Sequence, residues 1–278
     1  MIEINELTFS YPSRSGTEIP VFNKFNLFIP RGRYVSLMGP NGSGKTTLGK
    51  LIKGLISPKE GSIRIAGEPL LPGEISPRVG YIFSNPENQI VCAVVEEDVA
   101  FGLENMGLDR ETIVERVEKG LAFVGMQNYR GASPHHLSGG QQQKVVLAGI
   151  LAMDCEILIL DEPTSMLDLQ DQEEILRLLA QIHGQEKKTI LHITHSFSAA
   201  LRAQDFIYLD KGQILFYGPW EDFWHKAFVG NSLKLTYPPL WELLRILGEE
   251  GWAIPSCIHS PAEAQKFLIE VFSGQPST

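Results

Sequence analysis

The run "SLMGPNGSGKTTLGK", Ser36 to Lys50, constrains this chain more than any other stretch. An apolar segment, "YVSLMG", leads into it. "TTLGKLIKG" leads out with helical character, starting near Thr46 and ending near Gly54. Strand, glycine-rich loop and helix follow each other directly, and Gly39 to Thr46 fits G-x-x-x-x-G-K-[ST] in full. Gly39, Gly42 and Gly44 let backbone N–H groups turn inward around a phosphate. Lys45 can reach β- and γ-phosphates, and the Thr46 hydroxyl can bind Mg²⁺. The helix that follows points its positive end at the anion. Gly39, Pro40, Asn41, Gly42, Ser43, Gly44, Lys45, Thr46 and Thr47 are therefore the candidate nucleotide-binding residues. A plain glycine-rich turn is the competing reading, and the flanking strand and helix weigh against it.

The rest of the chain reads as the frame for that loop. "IEINELTFSY", "VFNKFNLFIP", "GSIRIAG" and "VGYIF" are β-like, and the middle from about Val95 to Met153 is mostly helical. "EILILDEP" and "KKTILHITH" are apolar throughout, as buried parallel strands are, and "LQDQEEILRLLAQIHG" between them has helical periodicity. Strand, helix, strand implies a crossover unit and an α/β core. All four tryptophans, Trp220, Trp224, Trp241 and Trp252, lie late in the chain. There "PPLWELLRILGEEGW" shows an apolar helical stripe, and "SPAEAQKFLIEVF" offers Ser260 as N-cap with Pro261 and Glu263 behind it. Residues 1–220 thus form the α/β domain, with a helical subdomain over about 85–153, and 221–278 form a helical extension. The terminal "SGQPST" is expected to be disordered.

Composition excludes several classes. A net charge of −9 without a basic run gives nucleic-acid binding no support. Three scattered cysteines, Cys92, Cys155 and Cys257, suit a reducing compartment and form no metal-ligand pattern. The first residues lack the basic and apolar regions of a signal peptide. "IVCAVV" (Ile90 to Val95) is far shorter than the ~20 apolar residues of a membrane helix, so the chain is not expected to span a membrane by itself.

Two further stretches carry chemistry. In "ILILDEPTS" four apolar residues, Ile157 to Leu160, deliver Asp161 and Glu162 to a strand end. The aspartate can hold the Mg²⁺ shell opposite Thr46. The glutamate can orient or deprotonate an attacking water. A helix-capping acidic pair ahead of Pro163 is the plainer alternative. "LSGGQ", Leu137 to Gln141, offers Ser138, Gly139, Gly140 and Gln141 as a second anion site at a helix start. On local grounds it is equally a loop with an N-cap. One nucleotide hardly needs two such devices from one molecule. A head-to-tail pair of chains would put each nucleotide between the loop of one and the LSGGQ of the other.

With these motifs in order, followed by "SMLD" (Ser165 to Asp168) and "ITH" ending in His195, residues 1–220 resemble ATP-binding cassette (ABC) ATPases. The resemblance implies an ABC-type P-loop core with an antiparallel β subdomain and a helical subdomain, hydrolysing ATP with Mg²⁺. It puts Asp168 at a dimer interface and His195 near the γ-phosphate and the attacking water, with Glu162 and Lys45 as the other catalytic groups. Tyr11 matches the aromatic residue that stacks on adenine, although a core tyrosine on an early strand reads equally well. The preference for ATP over GTP rests on the resemblance alone.

"FSNPENQIVCAVVEEDVAFGLEN" and the C-terminal "YPPLWELLRILGEEGWAIPSCIHSPAE" are similar to segments of energy-coupling factor and cobalt-type importer ATPases. That narrower likeness implies a second ABC ATPase chain, identical or a paralogue, with the C-terminal extension in dimer contact. It implies a transmembrane coupling protein and a substrate-capture membrane protein, a place at the cytoplasmic face of the cell membrane, and a vitamin or a transition-metal ion such as cobalt or nickel as cargo. A soluble cassette protein of translation or DNA repair is the alternative. A single cassette, no coiled-coil heptads and the acidic charge weigh against it.

Two positions depart from the family pattern. Ser84 stands where glutamine usually completes the Mg²⁺ shell. It could act through a water, belong to one half of an unequal pair, or be nearly neutral. Gln89, five residues on, is not an obvious replacement. Lys144 stands where arginine is common, keeping the charge without the fork geometry.

Overall fold

The computed structural model describes residues 1–13, 16–224, 239–255, 258 and 261–273. In chain order the first half holds β1 (Ile2–Pro12), β2 (Glu18–Ile29), β3 (Tyr34–Met38), α1 (Lys45–Lys53), β4 (Glu60–Ile65), β5 (Glu68–Pro69) and β6 (Val79–Ile82). Then come α2 (Val95–Asn105), α3 (Arg110–Phe123), α4 (Gly139–Ala152), β7 (Ile157–Asp161), α5 (Leu169–Glu186) and β8 (Thr189–Ile193). The chain continues through α6 (Phe197–Ala200), β9 (Asp205–Asp210), β10 (Gln213–Pro219), α7 (Trp220–Trp224), α8 (Pro239–Glu249) and α9 (Pro261–Ser273).

These strands make two sheets. One is antiparallel, in the order β2-β1-β4-β5; the other runs β10-β9-β3-β8-β7-β6 and is parallel from β9 to β6. Strand β7 explains why. All of its residues are buried, and they alternate between two cores. Ile157 and Ile159 face the core shared with α1 and the antiparallel sheet, alongside Leu48, Leu51, Ile2 and Ile4. Leu158 and Leu160 face the core built by α2 to α5, alongside Val99, Leu103, Val145 and Leu179. An apolar run with no polar alternation is what a strand covered on both sides requires.

Strand β1 departs from simple alternation. Ile2 and Ile4 are buried, then Leu7 and Phe9. A register shift lies between Ile4 and Leu7, and Glu6 has a φ of 49°. A bulge there adds one residue, so both pairs face the same core.

The expected helical middle comes as three helices separated by loops, and of "IVCAVV" only Val95 belongs to a helix, as the first residue of α2. The C-terminal helices do not keep a core to themselves. Trp241 and Leu244 of α8 and Ala264 of α9 pack with Phe197, Phe206 and Phe216 of the α/β domain, and with Trp220 and Phe223. The aromatic rings of Phe197 and Trp241 lie 5.2 Å apart. The proposed boundary at 220 therefore falls inside one aromatic cluster. Trp252 is exposed and its ring lies 6.3 Å from that of Phe272. The expected N-cap Ser260 and the tail from residue 274 on lie outside the described residues, whereas Ser273, expected to be disordered with that tail, is the last residue of α9.

Parallel order puts the C-terminal ends of β3, β8, β7 and β6 side by side on one edge, where open α/β sheets bind ligands. Beneath that edge, in β8, lies His192. Its Nδ1 is 3.0 Å from the Tyr34 hydroxyl, and its Nε2 is buried without a partner among the described residues. Complete burial pushes its pKa from 6.5 down to about 4. The unfolded chain binds this proton below 6.5, whereas the folded chain binds it only near 4. Stability from the neutral ring is thus whole above that upper value and is lost as pH falls towards the lower one, by about 3 kcal/mol in all. Urea unfolding of wild type and His192→Gln at neutral pH and near pH 4 checks this: the variant should lose less stability on acidification. Equal losses would contradict it.

Candidate nucleotide-hydrolysing site

The loop after β3 is built from backbone that only glycine adopts easily. At Gly39, φ is 152° and a Cβ would lie 1.9 Å from the Leu209 carbonyl oxygen. Gly44, with φ 110°, sits immediately before α1 and offers that helix no side-chain cap. The first turn of α1 also holds no acidic residue. Its N–H groups are left for an external anion. Lys45 is buried, and its Nζ donates to Gly39 O at 2.9 Å and Pro40 O at 3.0 Å, so the loop wraps its own lysine. Burial lowers the Lys45 pKa, and the nearby Glu162 and Asp161 carboxylates partly offset this. The Ser43 hydroxyl is buried with no partner among the described residues. An orphaned hydroxyl beside an uncapped helix start fits a phosphate chain well.

Asp161 ends β7 facing this loop. Its Oδ1 accepts from the Thr46 hydroxyl at 3.0 Å and its Oδ2 from the Tyr81 hydroxyl at 2.8 Å. Burial, then the Asp161 charge, push the Tyr81 phenol far above its ordinary pKa, so it stays a donor. Thr46, Ser84, Asp161 and Glu162 line one cleft of about 490 Å³. Hydroxyl and carboxylate oxygens there fit Mg²⁺. Gln89 is turned away: its side chain accepts from Phe83 N at 3.1 Å and donates to Tyr81 O at 2.9 Å, bracing the end of β6.

Glu162 takes a φ of 54°, a strained conformation for a glutamate. It is pinned on both sides, its N–H donating to Ile193 O at 2.9 Å and its carbonyl accepting from the Ser165 hydroxyl at 3.0 Å. That turn lifts its side chain to Oε1 contact with His195 Nε2 at 2.9 Å. Carboxylate and imidazole lie side by side at the ends of β7 and β8, where they can hold a water between them and a phosphate.

The LSGGQ stretch is elsewhere. Ser138 caps α4 in a full capping box with Gln141. A Cβ at Gly140 would lie 2.1 Å from an Asp171 carboxylate oxygen, so a side chain there would displace that carboxylate. Asp171 in turn belongs to the first turn of α5, whose N-cap is Asp168. Signature and Asp168 are thus neighbours through Asp171, and neither lines the Thr46–Asp161 cleft of its own chain. Ser138, Gly139 and Asp168 are exposed, and so are Met166 and Leu169. Lys144 pairs with Glu174 at 2.6 Å, joining α4 to α5.

Tyr11 stands beside the phosphate loop, its hydroxyl 3.2 Å from Thr47 Oγ1 and its ring edge-on to Phe9. Sequence reading passed over Tyr81 and Gly49. The available signals were a hydroxyl inside the apolar "VGYIF" and a glycine interrupting the helix "TTLGKLIKG".

A phosphate loop facing an Asp-Glu pair and a strand-end histidine defines a nucleoside triphosphatase. Comparison with known proteins gives its kind. A family model described as ABC transporter matches residues 22–165. The energy-coupling factor transporter ATP-binding protein EcfA1 of Lactobacillus delbrueckii subsp. bulgaricus is 39% identical over 279 residues, covering 98% of each chain. Its namesake from Caldanaerobacter subterraneus subsp. tengcongensis is 36% identical, covering 96% of this chain and 98% of the relative. Among solved structures, CbiO1 from Clostridium perfringens, described as part of the ABC transporter complex CbiONQ, has a TM-score of 0.73 at 28% identity. It covers 89% of this chain and 98% of that one. An ATP-binding cassette solved as a dimer in a post-hydrolysis state with ADP and Pi has a TM-score of 0.70 at 28% identity, covering 79% and 98%. The chain belongs to the ABC transporter family and, within it, to the ATP-binding proteins of the energy-coupling factor type; it is an ATP hydrolase.

Replacing Glu162 with glutamine keeps the shape and removes a carboxylate able to accept a proton from water. Steady-state phosphate release should fall about 10²- to 10⁴-fold while ATP affinity changes little. Retention of more than a tenth of the activity would remove Glu162 from the chemistry.

Proposed function

We propose that this chain powers uptake of a vitamin or a transition-metal ion, cobalt or nickel, through a transmembrane partner. It would bind ATP as one of two cassettes, the second being another copy or a paralogue. The observation that carries the reading is the separation, within one chain, of a phosphate loop with its Asp161–Glu162–His195 cluster from the signature at Ser138 to Gln141, whose Ser138 and Gly139 are exposed. Two chains facing head to tail would complete both sites, with Asp168 and the exposed Met166 and Leu169 between them.

The roles follow from the side chains. Lys45 and the loop from Gly39 to Thr47 bind the phosphates, and the Tyr11 ring takes the base. Thr46 and Asp161, with Ser84 at the rim, would hold Mg²⁺, which would supply neutralisation of phosphate charge. Glu162 accepts a proton from the attacking water, and His195 orients that water against the γ-phosphate. Ser138, Gly139, Gly140 and Gln141 close on the phosphates from the opposite chain. Hydrolysis weakens that closure and lets the pair reopen.

A groove of about 230 Å³, lined by Gln89, Val91, Asp98, Phe101, Ile150 and Met153, lies between the loop after β6 and the helices α2 and α4. Val91 and Phe101 are exposed there. It suits a short helix of the transmembrane protein, which would feel movements at Ser84 and Gln89. Among the described residues no helix is long and apolar enough to cross a membrane. The chain would therefore act as a peripheral subunit at the cytoplasmic face, held by that partner and serving its substrate-capture protein. On the C-terminal helices Leu243, Ile246, Ile269 and Phe272 are exposed and would meet the second cassette.

Purification of the tagged chain from its own membranes in mild detergent, with mass spectrometry of what accompanies it, tests this. A polytopic protein and a small membrane protein should co-purify, and their identity would name the cargo. Recovery of soluble proteins or ribosomes alone would overturn the transport reading.

A further inference from the structure

Asp161 is held from two sides, and the second side comes from a residue with no role assigned so far. Tyr81 is a buried aromatic in β6, in register with Ile159 of β7. Its ring packs on Phe83 at 4.7 Å. Its hydroxyl crosses to the next strand and donates to Asp161 Oδ2 at 2.8 Å, while Thr46 holds Oδ1. Space for that hydroxyl is made by α1. At Gly49 a Cβ would lie 3.1 Å from the Tyr81 ring and 3.2 Å from its hydroxyl oxygen, tighter than ordinary carbon contacts. A glycine within a helix is unfavourable by about 1 kcal/mol against alanine, so its presence needs a packing reason, and the Tyr81 head supplies one.

We propose that Tyr81 is a positioning residue: its hydroxyl, seated in the gap left by Gly49, fixes the Asp161 carboxylate towards Thr46 and thereby sets how tightly the nucleotide-bound divalent cation is held. With Oδ2 committed to Tyr81, the carboxylate cannot turn its plane. Oδ1 and the Thr46 oxygen then present one fixed edge to the cleft that also holds Ser84. This matters more here because Ser84 is short, leaving Thr46 and Asp161 as the side chains nearest a cation. A buried charged acceptor that loses one of two donors also relaxes towards the one that remains, here Thr46.

The inference rests on the reading of Thr46 and Asp161 as the cation site, and one experiment separates the two. Mn²⁺ is titrated into the full chain with saturating ADP, and free Mn²⁺ is read by electron paramagnetic resonance. ADP affinity without metal and thermal unfolding are measured alongside. Wild type should bind one Mn²⁺ per nucleotide. Tyr81→Phe, which keeps the ring, should weaken Mn²⁺ about 5- to 30-fold with metal-free ADP affinity unchanged. Gly49→Ala, which leaves the hydroxyl in place but crowds it, should shift Mn²⁺ affinity in the same direction. If wild type binds no nucleotide-dependent Mn²⁺, the cation-site reading itself fails. If wild type binds and Tyr81→Phe binds equally well or more tightly, or loses metal and metal-free nucleotide in parallel, Tyr81 is only a packing residue and the inference is overturned.

Discussion

Burial of β7 on both faces is the constraint on which the rest depends. Ile157 to Leu160 send side chains alternately into two cores, so no polar residue is tolerated until the strand ends. The first polar residue, Asp161, is therefore delivered to the sheet edge, and Glu162 to the turn beyond it. Because β7 lies between β8 and β6, and β3 lies beyond β8, the same edge collects the phosphate loop, His195 and Ser84. The charges meet because the apolar strands leave them nowhere else to go.

Close to that edge, single side chains tie elements together. Asp161 joins α1 to β6 through Thr46 and Tyr81. Glu162 accepts a left-handed backbone to reach His195, and two backbone-directed bonds hold it there. The Lys45 ammonium, lowered in pKa by burial, is satisfied by the carbonyls of its own loop. Beside that loop the Ser43 hydroxyl, without a partner among the described residues, and the uncapped first N–H groups of α1 are groups an anion would satisfy.

Much of this was legible in the sequence. The phosphate loop, the apolar strands and α5 follow from patterns confined to one segment, and α1 begins one residue ahead of its expected start. What escaped depends on contacts between distant segments. The bulge at Glu6 shows only in the pairing of β1 with its neighbours β2 and β4. Tyr81 reads as an ordinary strand aromatic until Gly49 and Asp161 are seen around it. Gly140 looks like a loop glycine until Asp171 is found against it. The C-terminal helices read as a unit, yet Trp241 packs on Phe197 and on Trp220, which itself lies against Phe206. The departure at Ser84 was visible at once; that Gln89 turns away from the cleft was not.

On the proposed reading a complete site needs two chains, since Ser138 to Gln141 stand apart from the cleft of their own molecule. The direct measurement is ATP turnover per chain as the concentration of a second cassette is raised, whether another copy or the cassette that co-purifies. Light scattering on the same samples reports the paired fraction. Turnover per chain should rise with that fraction and saturate with it. Turnover that persists unchanged at dilutions where no pairs remain would contradict the account.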